Sequence, residues 1–279
     1  MRVAVAGGTG LIGTMVVDAL RSRGDTAVVL ARSVGVDLLT GDGLDQALAG
    51  VEAVVDVSNV VTTRRAIAVE FFGTATRTLL AGGRRAGVQH HVVLSIVGVD
   101  RVPWGYYQGK RHQEQLALEG PVPATVLRAT QFHEFADQML QRGGPVAVVP
   151  KMLSRPVAAR EVASALVALT RARPQGLAPE LAGPEELHML EMVRQLARAR
   201  GVHRPVIAVR LPGEAGRAMA GGGLLPGSDG PRGTQTFAQW LSTASTPVKE
   251  RGDRRTRRTR LGVPAAAAAL PTHPPRRPN

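Results

Sequence analysis

The stretch VAVAGGTGLIGTMVVDAL, residues 3–20, decides the fold. Val3, Ala4, Val5 and Ala6 form a continuous apolar run, as a strand buried on both faces does. Leu11, Ile12, Met15, Val16, Ala19 and Leu20 then recur at helical spacing. Between the two patterns stand Gly7, Gly10 and Gly13, three residues apart. Glycine costs backbone entropy on folding, so a repeated glycine marks places where side chains must be kept away. At a strand-to-helix turn the first helical N–H groups are free and the helix dipole puts positive charge beside them. A pyrophosphate fits there when no Cβ intrudes. The spacing G-x-x-G-x-x-G is a variant of the dinucleotide fingerprint G-x-G-x-x-G. A plain tight turn is the competing reading, and the strand before with the helix after speaks against it. Gly7, Thr9, Gly10, Leu11, Ile12 and Gly13 are therefore the candidate pyrophosphate site.

Working outward, strands and helices alternate. TAVVLAR (26–32), EAVVDVSN (52–59), HHVVLSIVG (90–98) and ATVLRAT (124–130) read as strands two to five. Helices fall at GLDQALAG, with Asp42 near its start, at 66–85, at YYQGKRHQEQLALEG and at QFHEFADQML. This order predicts an α/β protein with a parallel sheet wound on both faces and right-handed crossovers. After Pro145 regularity weakens. PVAVVP and PVIAVRLP read as strands, PELAG as a strand before a turn, AREVASALVALTR and PEELHMLEMVRQLARARGV as helical, and 219–236 as loop before FAQWLS. The expected division is 1–150 for the nucleotide-binding core, 151–245 for the remaining elements with a small substrate-side subdomain over the strand ends, and 246–279 for a disordered basic tail.

The 279 residues carry a formal net charge of +13, no cysteine and 3% aromatic side chains. Absent cysteine rules out disulfides, a thiolate nucleophile and Cys-ligated metal. No apolar run reaches the roughly 20 residues that span a bilayer, and the start resembles no signal peptide, so the expectation is a soluble cytoplasmic protein. From Thr246 on, Lys249 and eight arginines face two acids, Glu250 and Asp253. Such an Arg-, Pro- and Ala-rich tail lacks amphipathic period and reads as disordered. It can touch nucleic acid or anionic lipid non-specifically, but without interleaved aromatics it offers no stacking platform. A solvated extension is the simpler reading. The sequence names no protein partner.

Four places carry candidate chemistry. At the end of the second strand, where an NAD site carries an acid for the ribose 2′-OH, stand Ala31-Arg32-Ser33. Arg32 and Ser33 suit a 2′-phosphate, favouring NADP(H) over NAD(H), with Asp37 nearby as the opposing signal. Asp56, Val57 and Ser58 close the third strand where the adenosine would pass; Asp56 serves equally well as a cap for the following loop. Ser95 ends the fourth strand, and Tyr106 with Lys110 at i+4 share one helix face. A nearby ammonium lowers a phenol's pKa from about 10, making the pair a general acid/base for carbonyl reduction. Lys110 can also hold the nicotinamide ribose, and Ser95 a substrate oxygen. Tyr107 adjoins Tyr106, and which of them faces the nicotinamide stays open. Thr130, Gln131 and Phe132 follow the fifth strand as candidate substrate residues, Phe132 fitting a core role as well. His90 and His91 point to opposite strand faces and the other histidines are scattered, so no metal is expected.

GGTGLIG, ARS, LSIVGVD, YYQGK and LRATQFHEF together resemble an atypical short-chain dehydrogenase/reductase of the NmrA-like, NAD(P)-binding group, over about residues 1–245. The resemblance implies a Rossmann fold, pyrophosphate binding by Gly7, Gly10 and Gly13, phosphate contact by Arg32, and a Tyr/Lys pair at Tyr106 and Lys110. Ser95 lies closer to Tyr106 than that group's serine does, and Ala129-Thr130 replaces a frequent Pro-Gly. Three functions follow as expectations: an NAD(P)H-dependent oxidoreductase acting on a small carbonyl, quinone-like or alcohol substrate; a non-catalytic NADP(H) sensor or accessory subunit; and a sugar epimerase-like isomerase.

Overall fold

The computed structural model describes residues 1–142, 144–227 and 229–244. The expected disorder of 246–279 lies outside the described residues. The first half alternates as the apolar pattern requires: β1 (Arg2–Ala6), α1 (Leu11–Ser22), β2 (Thr26–Leu30), α2 (Leu44–Ala47), β3 (Ala53–Asp56), α3 (Arg65–Ala86), β4 (His90–Ile96), α4 (Gly105–Leu118) and β5 (Ala124–Ala129). The second half holds α5 (Glu134–Gln141), β6 (Ala147–Pro150), β7 (Leu153–Ser154), α6 (Ala159–Leu169), β8 (Gly176–Leu177), β9 (Leu187–His188), α7 (Met189–Ala199), β10 (Val206–Val209), α8 (Gly213–Ala220) and α9 (Phe237–Ala244).

Six strands form one parallel sheet in the order β2-β1-β3-β4-β5-β8. Val3 to Ala6 are fully buried because both faces of β1 are covered. Val3 and Val5 pack with α1 and α6, through Val16, Leu20, Val162 and Leu166. Ala4 and Ala6 face the other way, toward Leu44 of α2, Leu48 just after it and Leu79 of α3. Burying side chains such as Leu20 and Leu79 stabilises by about 1.5–3 kcal/mol each. The result is a Rossmann-like, doubly wound α/β fold. The chain runs from β1 outward to β2 and then crosses back to β3 on the other side of β1. That reversal opens a crevice beyond the carboxyl ends of β1 and β3, where ligands sit in open α/β sheets.

β6 and β10 pair in parallel, and β7 and β9 antiparallel, outside the main sheet. A further core joins α5, α7, β6 and β10 to Phe72, Tyr106 and Tyr107. PELAG differs from its expected strand: Leu181 and Ala182 make only isolated bridges, to Ala129 and Arg232. Pro179 has no N–H to give a ladder, and the sheet's sixth strand forms ahead of it at β8. Among the described residues no helix is long and apolar enough to cross a membrane.

Candidate nucleotide and substrate cavity

A cavity of about 570 Å³ opens at the carboxyl ends of the central strands. One wall is the glycine turn, in which each glycine has its own reason. Gly7 has φ +76, and a Cβ there would lie 2.8 Å from the Val57 carbonyl oxygen. A Cβ on Gly13 would lie 2.1 Å from the Gly7 carbonyl oxygen, so α1 can begin there only against bare backbone. At Gly10 the nearest atom to such a Cβ is the Gly7 oxygen at 3.3 Å. Space at Gly10 is thus left over by the protein, and Gly10 lines the cavity. It is also the N-cap of α1, with no side chain bonded to the helix end. Thr9, Leu11 and Ile12 complete this wall.

Arg32 and Ser33 follow β2 in a short 3-10 turn, are exposed, and line the same cavity. The acid that opposed them, Asp37, accepts the Leu39 N–H at 2.8 Å and closes its own turn. Val57 and Ser58 line the cavity, but Asp56 does not. Asp56 is fully buried beneath it; its Oδ1 accepts the Ser58 N–H at 2.9 Å and its Oδ2 accepts from Gln113 Nε2 at 2.8 Å. Of the two roles open for Asp56, capping the loop is the one its bonds serve.

At the far end Ser95, Tyr106, Tyr107 and Lys110 come together on the cavity wall. α4 packs closely on α3 because residue 109 is glycine: a Cβ there would meet Ala68 at 2.7 Å. That approach carries the tyrosines into the interior, both nearly fully buried. The Tyr106 hydroxyl donates to Asn59 Oδ1 at 2.6 Å. Tyr107 is hydrogen-bonded to Gln131. Burial pushes both phenols well above the usual tyrosine range; the neighbouring Tyr107 adds to the rise at Tyr106, and the Gln131 hydrogen bond opposes it at Tyr107. This corrects the expected lowering of the Tyr106 pKa by Lys110. The Lys110 ammonium donates instead to the Leu94 carbonyl at 2.6 Å and to Gln113 Oε1, and lies 4.8 Å over the Phe72 ring. Burial brings Lys110 down to about 8, against the opposing pull of the Asp56 and Glu114 carboxylates.

Thr130, Gln131 and Phe132 also line the cavity. Thr130 Oγ1 donates to the Arg155 carbonyl, and Gln131 Oε1 accepts the Ser154 hydroxyl. Phe132 both lines the cavity and packs partly against the α1/α6 core. Sequence reasoning missed Asn59, Phe135, Gln138 and Met152, which share this wall. Asn59 directly follows Ser58, and Phe135 with Gln138 stand at helical spacing after Phe132, which was the only available signal. Among the described residues no group of three His, Cys, Asp or Glu side chains converges as a metal site would require.

No family model matches the sequence, and no curated protein does. Solved structures share its architecture. An NADPH-dependent quinone oxidoreductase of Escherichia coli, complexed with NADPH, is 20% identical over 88% of this chain and 100% of its own, with a TM-score of 0.65. MoeE5 in complex with UDP-glucuronic acid and NAD is 19% identical over 87% of this chain and 97% of its own, with a TM-score of 0.67. The UDP-glucose 4-epimerase of Thermus thermophilus, complexed with NAD, is 18% identical over 89% and 94%, with a TM-score of 0.61. Likeness at this level establishes a common fold, the one that the sequence resemblance implied.

Proposed function

We propose that the chain is an atypical short-chain dehydrogenase/reductase that binds NADP(H) in this cavity and reduces a small carbonyl or quinone-like substrate, or oxidises the matching alcohol. One observation carries the reading. A single cavity runs from the open N-terminus of α1 and Arg32 to the buried group of Ser95, Tyr106 and Lys110. The residues present fit the cofactor: Gly10 leaves room for a pyrophosphate, the uncapped helix end offers N–H groups to it, and Arg32 with Ser33 would hold a 2′-phosphate. When bound, NADPH supplies a hydride to the carbonyl carbon.

The chain's own work is at the oxygen. Ser95 Oγ is buried, has no hydrogen-bond partner among the described residues, and would donate to the carbonyl. Tyr106 keeps its proton at neutral pH and so would act as the acid that gives it to the oxygen. The overall change is carbonyl, NADPH and a proton to alcohol and NADP⁺.

The position of Lys110 favours a second reading, a non-catalytic NADP(H) sensor. Its ammonium is committed to Leu94 and Gln113 and no bond joins it to Tyr106. Calorimetry and melting curves with NADPH and NADH test both readings, because both need tight nucleotide binding with NADPH preferred. Turnover across a carbonyl panel then separates them: consumption of NADPH supports the enzyme, and binding without consumption the sensor.

A further inference from the structure

Beyond the nucleotide-side wall, the cavity continues under α5 and Met152. Phe132, Phe135, Ile96 and Met152 make that lobe apolar. The cavity's charged lining residues are Arg32 and Lys110. Arg32 follows β2, whereas α5 follows β5, four strand spacings away, a separation of about 20 Å. Lys110 is held by its own protein partners. Among the described residues the lobe therefore offers no free cation to a phosphate or carboxylate.

It does offer an amide. Gln138 stands one turn from Phe135 on α5, on the same helix face. Its Oε1 and Nε2 are both withdrawn from solvent, and neither has a hydrogen-bond partner among the described residues. Gln131, on the same wall, has its Oε1 taken by Ser154. A buried amide with both ends unpaired is costly, and such groups in a cavity wall mark a place where a ligand completes the bonding. Among the described residues two other cavity-lining side chains carry such an atom, Ser58 Oγ beside the glycine turn and Ser95 Oγ at the end of β4.

We propose that Gln138 is a substrate-recognition residue, binding the far polar group of an uncharged, ring-sized carbonyl compound whose reacting oxygen lies at Ser95, and that the lobe rejects phosphorylated substrates such as nucleotide sugars. The amide provides a donor for a second carbonyl and an acceptor for the hydroxyl that replaces it. This inference rests on the NADP(H) reading above.

The test is calorimetric titration of the wild-type chain, with and without NADP⁺, by 1,4-naphthoquinone, alpha-tetralone and UDP-glucose. The oxidised nucleotide prevents turnover, and the absence of cysteine prevents thiol adducts with the quinone. Gln138→Leu and Gln138→Glu are compared, with melting temperatures as the check on folding. Expected are binding of both neutral rings and none of UDP-glucose. Loss of the bond should weaken the quinone about tenfold in Gln138→Leu, with a similar direction in Gln138→Glu, while the one-carbonyl tetralone changes less than about twofold. Unchanged quinone affinity, an equal loss for both rings, any binding of UDP-glucose in the presence of NADP⁺, or no binding of either ring would overturn the inference. Failure to bind NADP⁺ is read separately and counts against the function proposed above.

Discussion

The Tyr106 hydroxyl donates to Asn59 Oδ1 at 2.6 Å, joining α4 to the loop that leaves β3. The two residues are 47 apart in sequence, and the bond sits in the cavity wall. Replacing Tyr106 by Phe keeps the ring against Phe72 and Tyr107 but removes the proposed acid. Turnover should fall by about 10²–10⁴, with NADPH affinity changed less than about twofold. Tyr107→Phe should fall far less. Equal rates in wild type and Tyr106→Phe, measured by NADPH absorbance, would remove Tyr106 from the chemistry. Asn59→Ala should lower stability by about 1–3 kcal/mol, since it leaves a buried hydroxyl without its acceptor.

Two glycines of one turn should fail in different ways. Gly13→Ala forces a Cβ into the Gly7 carbonyl, and overpacking of that kind costs about 1–3 kcal/mol. Its melting temperature should drop. Gly10→Ala meets only a 3.3 Å contact, and at an N-cap, where glycine is preferred to alanine, the exchange costs about 0.5–1 kcal/mol. The fold should persist while the new methyl occupies the ligand's approach, with NADPH affinity reduced by about tenfold or more. Parallel melting and binding curves distinguish the two effects.

Arg32 tests cofactor choice. Arg32→Ala removes a charge-assisted partner, typically about 1.5–3 kcal/mol. NADPH should bind roughly ten- to a hundredfold more weakly, and NADH should be nearly unaffected. Equal losses for the two nucleotides, measured by calorimetry, would place the 2′-phosphate elsewhere.

Lys110 predicts a pH dependence with a definite sign. Its folded pKa, about 8, lies below the unfolded value. Below pH 8 both states carry the proton and the cost of burying the charge is fully present. Between pH 8 and about 10.5 the folded state has released the proton and the unfolded state has not, so stability rises with pH. Relative to Lys110→Met, the wild type should gain stability across that window in denaturant titrations. A flat or falling difference would mean that the ammonium keeps its charge through its bonds to Leu94 and Gln113.

Much of the nucleotide end was legible because it is local. Strand, glycines and helix lie within residues 3–20, and Arg32 follows from where the second strand stops. The helix pairing of Tyr106 with Lys110 was also readable from spacing. What could not be read was where the lysine's nitrogen goes, because the Leu94 carbonyl meets it from β4 and Asp56 of β3 orients Gln113, its other acceptor. Burial therefore reversed the phenol pKa expected from a neighbouring charge. Gln138 and Met152 were invisible for a similar reason. They line the cavity from α5 and from the segment after β6, and β6 pairs outside the main sheet with β10, some sixty residues on, where the apolar runs carry no mark of their partner.

The sheet order has a consequence for how the protein tolerates change. Arg32 follows the edge strand β2, whereas Gln138 stands on α5 after β5, four strand spacings across the sheet. Substitutions so far apart combine additively. On the proposed roles of the two residues, coenzyme choice and acceptor choice would be inherited as separate traits, and drift in α5 would re-tool the second without disturbing the first.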